Sequence, residues 1–487
     1  MSVIQIAIIL GFILLILFIG VWAARKNPGQ GDLILSNRQL PLWLALFTMS
    51  ATWIGGGYIN GTAEYTASAG LVWVQAPWCY ALSLIIGGVF YARPMRRKAY
   101  QTMLDPLEER FGQRITGVLF IPALLGEVCW AAAILTALGT TFSVIMDLPY
   151  NQAMIASGIL VLIYTSLGGL WSVAVTDLVQ LIFILGGLIL VLPFAFHQAG
   201  GWKTVDQNYL EHMGSAAKFF PNRSNVGPLI GYWLDSGLLL IFGGIPWQVY
   251  FQRVLAAKNE EVAMRLSIGA GFICLLAAIP AILIGMIANT TDWSIFGVQF
   301  NNPSLSLPLV IRYLTPSWVA VVGLGAILAA VTSSMDSSML SASSMFSWNI
   351  LKPLSRKPVS INKSVRISIW VIGLVTVFIA LKVDSIYALW FLCSDLVYCL
   401  LFPALTLALF DPKTNRHGIV AGLIVSLIIR SSGGEPLLHI DSWYPYTHSA
   451  DGIILWPFKS TATIANFLVA MSVSRMLHRT NNASVTA

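Results

Sequence analysis

The sequence is divided into apolar runs that are long enough to cross a lipid bilayer. About thirteen runs reach the roughly twenty residues that a membrane-spanning helix needs. Only 10% of the 487 residues are charged, against about 25% in a typical soluble domain. Lipid offers no hydrogen-bonding partner to an open backbone, so each run is expected to be a helix. The sequence therefore predicts an all-α, multi-pass membrane protein.

The basic residues predict how these spans are oriented. The spans are expected near residues 4–22, 42–65, 71–91, 115–145, 150–167, 172–196, 229–247, 262–288, 319–348, 365–382, 386–410, 416–432 and 456–478. The loops after odd-numbered spans carry most of the cations, including Arg93, Arg96, Arg97, Lys98, Arg110, Arg253, Lys413 and Arg416. The opposite loops carry Lys203, Lys218, Arg223, Arg312 and Lys382. Basic loops favour the cytoplasm, so we expect a cell-membrane protein with its N-terminus outside and its C-terminus cytoplasmic. The net charge of +7 thus reflects topology and does not indicate a nucleic-acid partner.

One predicted span, within residues 47–65, contains three consecutive glycines, Gly55, Gly56 and Gly57. Each costs roughly 1 kcal/mol relative to alanine inside a helix, so the helix is expected to open here. An open backbone at membrane depth is tolerated only in a cavity or against protein, where its free carbonyls can bind a cation. The alternative is that the glycines only let a second span approach closely.

A second helix break is expected in the seventh span. There Gly243 and Gly244 weaken the helix and Pro246 removes a backbone donor. The two breaks lie five spans apart, and an odd offset reverses the direction in which the chain enters the membrane. We therefore expect two inverted repeats with a site between the breaks. The expected segments are an N-terminal helix with the first cytoplasmic loop (1–41), the first repeat (42–196), an extracellular loop (197–228), the second repeat (229–410), and two additional helices with a short cytoplasmic tail (411–487).

Acidic and hydroxyl side chains within the spans mark candidate ion sites, because such groups are costly in lipid. Asp177 follows Thr176 in the sixth span, and Ser333 and Ser334 begin a hydroxyl-rich run in the ninth. Oxygen atoms are the ligands that a hard cation prefers. The alternative is that these hydroxyls bond to the preceding turn or hold helices together. Other acids within predicted spans are Glu127, Asp235, Asp336 and Asp395.

Four aromatic residues lie inside predicted spans, whereas membrane tryptophans are usually interfacial. They are Trp53, Tyr80, Trp130 and Trp247, of which the first and last adjoin the two helix breaks. Aromatic faces suit a quaternary ammonium, which is held by cation–π attraction. For any single ring, packing or lipid contact is the alternative. Weaker candidates of the same kind are Trp390 and Tyr398.

Enzyme signatures are absent from the sequence. It contains no HExxH, GxSxG or Walker A motif. Its five cysteines have no metal-type spacing with histidine. A carrier is therefore expected rather than an enzyme.

Several stretches match a known family: Ala51–Glu64, Met103–Pro106, Gly243–Gln248 with Phe251–Leu255, and Ser341–Phe346. Through them the chain resembles the sodium:solute symporter family over nearly its whole length, and within it the choline-transporting branch. The resemblance implies thirteen spans and a leucine-transporter-like core of two inverted five-helix repeats with broken helices.

The resemblance also implies a set of site residues. Sodium would be held by the carbonyls of Ala51, Ile54 and Ala330 and the hydroxyls of Ser333 and Ser334, with a possible second sodium at Thr176 and Asp177. Choline would occupy a pocket formed by Trp53, Tyr80, Trp130 and Trp247. Sugar carriers of the family have polar residues in this pocket. The choline branch also implies chloride dependence, but the sequence offers no visible chloride site.

The expected activity is sodium-dependent uptake of choline by alternating access. One alternative keeps the carrier and changes the solute to betaine, carnitine or proline. Another is a transporter-derived sensor or channel that binds choline without coupled transport, and a membrane enzyme is a distant third. The oligomeric state is left open by the sequence.

Overall fold

The structure of the chain, a computed structural model, describes residues 3–25, 32–146, 148–166, 169–383, 385–436 and 439–485. Within these ranges the regular structure is helical, and β-pairing is limited to isolated bridges. The α-helices are α1 (Val3–Arg25), α2 (Leu42–Trp53), α3 (Gly56–Ser68), α4 (Ala76–Ile86), α5 (Arg93–Arg97), α6 (Asp105–Phe111), α7 (Gln113–Met146), α8 (Tyr150–Thr165), α9 (Leu170–Gln198), α10 (Trp202–Met213), α11 (Ile230–Gly243), α12 (Gln248–Ala256), α13 (Glu260–Thr290), α14 (Ser306–Tyr313), α15 (Ser317–Met345), α16 (Lys352–Leu354), α17 (Ile361–Ala380), α18 (Ile386–Leu396), α19 (Phe402–Phe410), α20 (Arg416–Ser432) and α21 (Phe458–Val485).

The helices confirm the prediction of an all-α membrane protein. In the part of the chain that the structure describes, eight helical passages are long and apolar enough to cross a membrane, and the bent pair α2 and α3 makes a ninth. The other expected spans coincide with α1, α8, α20 and α21. The count of thirteen and the segment boundaries stay predictions. The first cytoplasmic loop, expected at the end of segment 1–41, lies partly outside the described residues.

Helix α15 is the centre of the bundle. Nearly all of its residues are buried, including the whole stretch from Gly323 to Met345. It packs against α2, α3, α7, α9, α12 and α17. Its many hydroxyl groups would be poorly solvated by lipid. Some of them, including Ser333 and Ser334, hydrogen-bond to neighbouring helices, whereas others, including Ser344, donate to carbonyls of α15 itself. The hydroxyl-rich run predicted from the sequence is therefore an interior surface.

Both expected helix breaks are present. Helix α2 ends at Trp53 and α3 begins at Gly56 with a bend of 44°. Helix α11 ends at Gly243 and α12 begins at Gln248, after an extended residue at Trp247. Among the described apolar helix pairs that are separated by a break of at most four residues, only the first pair is bent by more than 40°. Glycine lies at both breaks, as its low helix propensity predicts.

The C-terminal helices are attached to the rest of the bundle by a buried ionic cluster. The Nε atom of Arg430 on α20 donates to Oδ1 of Asp395 on α18 at 2.7 Å. Nζ of Lys459 on α21 lies 2.9 Å from Oδ2 of the same carboxylate. The backbone N–H groups of Lys459 and Ser460, at the start of α21, donate to Asp235 on α11. Two acids of the core thus hold both terminal helices.

We predict that Arg430→Met destabilises the protein strongly. The side chain of Asp395 is fully buried and that of Arg430 is 7% exposed, so removing one partner leaves a buried charge under-compensated. The expected loss of unfolding free energy is about 3 kcal/mol, measured as a lower unfolding temperature in detergent. The control is Arg93→Met, because Arg93 pairs with Glu261 where both side chains are nearly half exposed. There the loss should stay below about 1 kcal/mol. Equal shifts for the two variants would contradict a structural role for the buried cluster.

Candidate substrate and ion site

The first helix break leaves carbonyl groups without their helical partners. The last regular bond is donated by the N–H of Ile54, and the next is accepted by the carbonyl of Gly55. In the described part of the chain, the N–H of Gly55 makes no backbone hydrogen bond, so the carbonyl of Ala51 loses its usual donor. The carbonyl of Ile54 likewise accepts no backbone N–H there. These two oxygens are available to bind a cation.

The glycines at the break are required by the close approach of α15. A Cβ atom added to Gly55 would lie 1.7 Å from Oγ of Ser334, and the carbonyl of Ala330 is 3.6 Å away. A Cβ on Gly56 would lie 2.2 Å from a methyl carbon of Val331. The open helix and the glycine-lined contact, weighed as alternatives from the sequence, therefore both occur at this position.

Two of the expected sodium ligands, Ser334 and the carbonyl of Ala330, lie at this contact. The Oγ atom of Ser334 donates to the carbonyl of Thr52 at 2.8 Å, beside the break. The hydroxyl of Ser333 is instead directed to Oδ1 of Asp177, at 2.5 Å. No group of three or more His, Cys, Asp or Glu side chains that could hold a metal occurs in the described ranges. Carbonyl and hydroxyl oxygens fit a hard cation such as sodium, which does not need such a cluster.

Asp177 is buried at the junction of several helices. Its Oδ2 atom accepts from Thr48 on α2 at 2.5 Å, and Arg253 on α12 lies 3.9 Å away. Ser333 therefore connects the expected second ion position to the first. The hydroxyl of Thr176 donates to carbonyls of the preceding turn, including that of Val173 at 2.9 Å, and its role at that position stays a prediction.

Arg253 corrects the count of basic loop residues. The sequence predicts a position in a cytoplasmic loop, because Arg253 follows the second break, but its side chain is fully buried. Its Nη2 atom donates to Oγ of Ser337, which lies 3.0 Å from Oγ1 of Thr52. Sequence reasoning missed it because helix α12, which folds the residue inward, is short and only partly apolar. Arg253 supplies the positive charge nearest to Asp177 in the described site.

Four aromatic residues singled out in the sequence line one cavity. These are Trp53, Tyr80, Trp130 and Trp247, and they are joined by Trp390 and Val249. The ring centroids of Trp53 and Trp130 are 6.1 Å apart, and those of Trp130 and Trp247 are 5.6 Å apart in an edge-to-face arrangement. Tyr80 stacks on Trp390 at 5.0 Å. The aromatic faces therefore surround a common space.

The two weaker candidates separate in the structure. Trp390 belongs to the cavity wall, whereas Tyr398 is not among the lining residues. Its hydroxyl donates to Ser460 at the start of α21, 3.1 Å away. Trp390 precedes Ser394 by one helical turn, and Tyr398 follows it by one turn. The carbonyl of Ser394 packs against Gly243 of the second break. Tyr398 therefore helps to anchor a terminal helix.

The breaks also position the rings of the cavity. Trp53 is the last residue of α2, and Trp247 immediately precedes α12. The indole N–H of Trp247 donates to the carbonyl of Gly243 at 2.5 Å, which fixes the orientation of this ring. The indole N–H of Trp53 is buried and has no hydrogen-bond partner among the described residues.

The cavity holds only about 20 Å³ of free space. That is room for a water molecule and not for an organic cation. In the conformation described here, the rings therefore leave no room for an organic cation between them. No acidic side chain is among the described residues that line the cavity, but Glu127, one turn before Trp130, accepts a hydrogen bond from the N–H of Val249 at 3.4 Å. This carboxylate therefore contacts the backbone of a lining residue.

The remaining candidate acids have other partners. Asp336 accepts from Thr165 of α8 at 2.5 Å. Asp235 and Asp395 belong to the ionic cluster that holds the terminal helices. Of the five acids singled out in the sequence, Asp177 accepts a hydrogen bond from an expected sodium ligand, and Glu127 accepts one from a residue that lines the cavity.

Comparison with known proteins relates this arrangement to sodium-coupled carriers. The sequence model of the sodium:solute symporter family matches residues 33–426. A high-affinity choline transporter 1 from Drosophila melanogaster is 45% identical over 95% of this chain and 76% of the relative. The Homo sapiens protein of that name is 45% identical over 96% of this chain and 84% of the relative.

Two solved structures share the fold. A Na⁺-coupled sialic acid symporter in a substrate-bound outward-open state matches with a TM-score of 0.80 and 18% identity, and the match covers 98% of each chain. A nucleobase-cation-symport-1 family transporter in a closed conformation matches with a TM-score of 0.60 and 14% identity, over 93% of this chain and 96% of the other. These likenesses confirm the leucine-transporter-like fold expected from the sequence.

We predict that Gly55→Ala destabilises the protein, because the added methyl group would collide with Ser334 and force α2 and α15 apart. Overpacking of this kind costs about 1–3 kcal/mol, which would appear as a lower unfolding temperature in detergent. The control is Gly57→Ala, where the nearest atom to the new methyl carbon is 3.8 Å away. The control should be at least as stable as the parent, since alanine favours the helix. If both variants unfold at the same temperature as the parent, the absence of a side chain at Gly55 is not required for stability.

Proposed function

Because the chain belongs to the sodium:solute symporter family, we propose that it takes up choline together with sodium across the cell membrane. Family membership confirms the expectation of a membrane carrier rather than an enzyme, and it makes sodium the coupling ion. The choice of choline is supported chiefly by one observation, the closed cavity of aromatic rings between the two helix breaks.

The chemistry of the cavity favours a quaternary ammonium. Such a cation cannot donate hydrogen bonds, and it is attracted to the faces of Trp and Tyr. Five aromatic residues line the cavity, and the side chain of Glu127 accepts a hydrogen bond from the backbone of the lining residue Val249. A cation there would be held chiefly by the faces of the rings. The names of the 45% identical relatives support the same substrate.

We propose that sodium binds where α2 opens against α15. The carbonyls of Ala51, Ile54 and Ala330 would bind it with the hydroxyls of Ser333 and Ser334. Sodium there would hold the two helices together, and because Trp53 ends α2, it would also fix one wall of the cavity. Asp177 is the proposed position of a second sodium. Sodium at this position would compete with Arg253 for the carboxylate of Asp177, because both positive charges would interact with the same group.

The proposed cycle is alternating access. In the conformation described here the cavity is too small for choline, so one or more rings would have to rotate to admit it. Sodium binding at the first break would favour the arrangement in which those rings form a complete pocket. The distribution of Lys and Arg supports a cytoplasmic C-terminus, so the sodium gradient would drive uptake. Co-transport of two cations would also be favoured by the membrane potential, by roughly 2.3 kcal/mol per charge per 100 mV.

The experiment that tests this function is uptake of radiolabelled choline into vesicles containing the purified protein. Accumulation above the external concentration is expected with an inward sodium gradient and not with a potassium gradient. Replacing chloride with gluconate tests the proposed chloride dependence. Excess betaine, carnitine or proline as competitors tests the alternative solutes. Binding of choline without accumulation would instead identify a sensor and would refute the proposal.

Trp53→Ala is expected to weaken choline binding between twofold and about thirtyfold, because each aromatic face contributes on the order of 0.5–2 kcal/mol. The measurement is the dissociation constant of choline for the purified protein at saturating sodium. Trp370→Ala is the matched control, since this ring is partly exposed on α17 away from the cavity. An unchanged affinity in the folded Trp53 variant would remove this ring from the choline pocket.

Ser334→Ala is expected to raise the sodium concentration needed for half-maximal uptake. Loss of one oxygen ligand should cost on the order of 1 kcal/mol, or roughly fivefold. Ser344→Ala controls for the loss of a buried hydroxyl on the same helix, because Ser344 donates to Leu340 in the preceding turn. A sodium curve that is identical in the parent and in both variants would exclude Ser334 as a ligand.

A further inference from the structure

A large basic cavity lies at one end of the bundle, far from the aromatic cavity. It is open to the surface and is bordered by α6, the loop 411–415, the start of α20 and the last third of α21. Its volume is about 720 Å³, which is within the usual range of ligand pockets. The basic side chains that line it are Arg110, Lys413, Arg416, His417 and His478, and no acidic side chain is among its described lining residues.

Among the described residues, two cations of this cavity, Lys413 and Arg416, lack the acidic partners that neutralise the cations of and near α5. Neither Lys413 nor Arg416 forms an ion pair or a side-chain hydrogen bond within the described ranges, and both are exposed. The nearest acid, Asp411, is engaged by Thr414 at 2.7 Å and by Arg475 at 3.6 Å. In contrast, the cations of and near α5 form salt bridges: Arg93 with Glu261, Arg97 with Glu260, and Lys98 with Glu109.

Arg110 gives the cavity a fixed shape. Its Nη2 atom donates to the carbonyls of Asp411 and Thr414, at 3.1 and 3.2 Å. These bonds attach the loop 411–415 to α6 and leave the other guanidinium N–H groups of Arg110 available. One wall of the cavity is therefore a loop that is fixed to α6.

The length of α21 places the cavity at the expected membrane boundary. Leu477 and His478 follow Phe458, the first residue of α21, by about twenty residues, and at 1.5 Å per residue this corresponds to roughly 30 Å. That distance is the thickness of the hydrocarbon core. The apolar surfaces of Phe111 and Leu477 also border the cavity. Arg110 follows Glu109, the partner of Lys98, so the cavity is on the side with most basic loops.

We propose that this cavity binds the phosphate-bearing headgroup of an anionic phospholipid from the adjoining leaflet. Unpaired Lys and Arg side chains between membrane helices suit phosphate oxygens, to which guanidinium groups can donate two hydrogen bonds. The apolar border would accept the first part of the acyl chains. The proposal does not depend on the transported solute, because none of the lining residues belongs to the aromatic cavity or to the expected sodium ligands.

The test is a binding titration of the full-length protein in detergent with a short-chain fluorescent phosphatidylinositol bisphosphate, followed by anisotropy. The double variant K413Q/R416Q is expected to bind it roughly thirtyfold more weakly, because each lost surface charge weakens binding about fivefold. The double variant R356Q/K357Q is the matched control. It removes two exposed cations from the loop after α16, outside the cavity, and should bind within twofold of the parent. Unfolding temperatures show that both proteins are folded.

Competition identifies the source of the headgroup. Unlabelled short-chain phosphatidylinositol bisphosphate should displace the probe at lower concentrations than soluble inositol trisphosphate or inorganic phosphate, and phosphatidylcholine should not displace it. Displacement by inorganic phosphate or inositol trisphosphate as readily as by the lipid would overturn the lipid assignment in favour of a soluble anion. Equal weakening in the two double variants would show attraction to general surface charge and would also overturn it, as would absence of binding to the parent.

Discussion

A helix in lipid must satisfy the hydrogen bonds of its own backbone. The rest of this structure depends on one break in that bonding, between α2 and α3. At the end of α2 the helical bonding stops, and the carbonyls of Ala51 and Ile54 lose their usual backbone donors. Helix α15 covers the opening so closely that Gly55 has no room for a methyl group. A hydroxyl from Ser334 satisfies one neighbouring carbonyl, that of Thr52. The opening is thereby stable, and the remaining oxygens are available for an ion.

The same opening links the ion and solute positions. Trp53 is at once the end of α2 and part of the aromatic wall, so a change in the opening moves a ring of the cavity. In the other direction, Thr52 lies beside Ser337, which accepts a hydrogen bond from Arg253, the neighbour of Asp177. These contacts form a continuous polar path from the end of α2, beside the aromatic cavity, to Asp177. Such a path gives a physical means by which occupancy at one position can influence the other.

Local features of the structure could be predicted from the sequence, and distant pairings could not. Glycine propensity predicts both breaks, and the placement of tryptophans beside them predicts most of the aromatic wall. In contrast, nothing near Arg253 in the sequence indicates that it is buried beside Asp177, 76 positions earlier. The pairing of Asp395 with Arg430 likewise depends on how α18 and α20 pack. Periodicity and propensity describe single helices, whereas burial and charge pairing are set by contacts between them.

The account is tested most directly by measuring the linkage between choline and sodium binding on the purified protein. The dissociation constant of choline is determined in sodium and in potassium, and that of sodium with and without choline. We predict that each ligand tightens the binding of the other by the same factor, of about fivefold or more, because linkage in binding free energy is reciprocal. If choline bound equally well in sodium and potassium, the opened helix would not couple the two sites, and the central claim would be wrong.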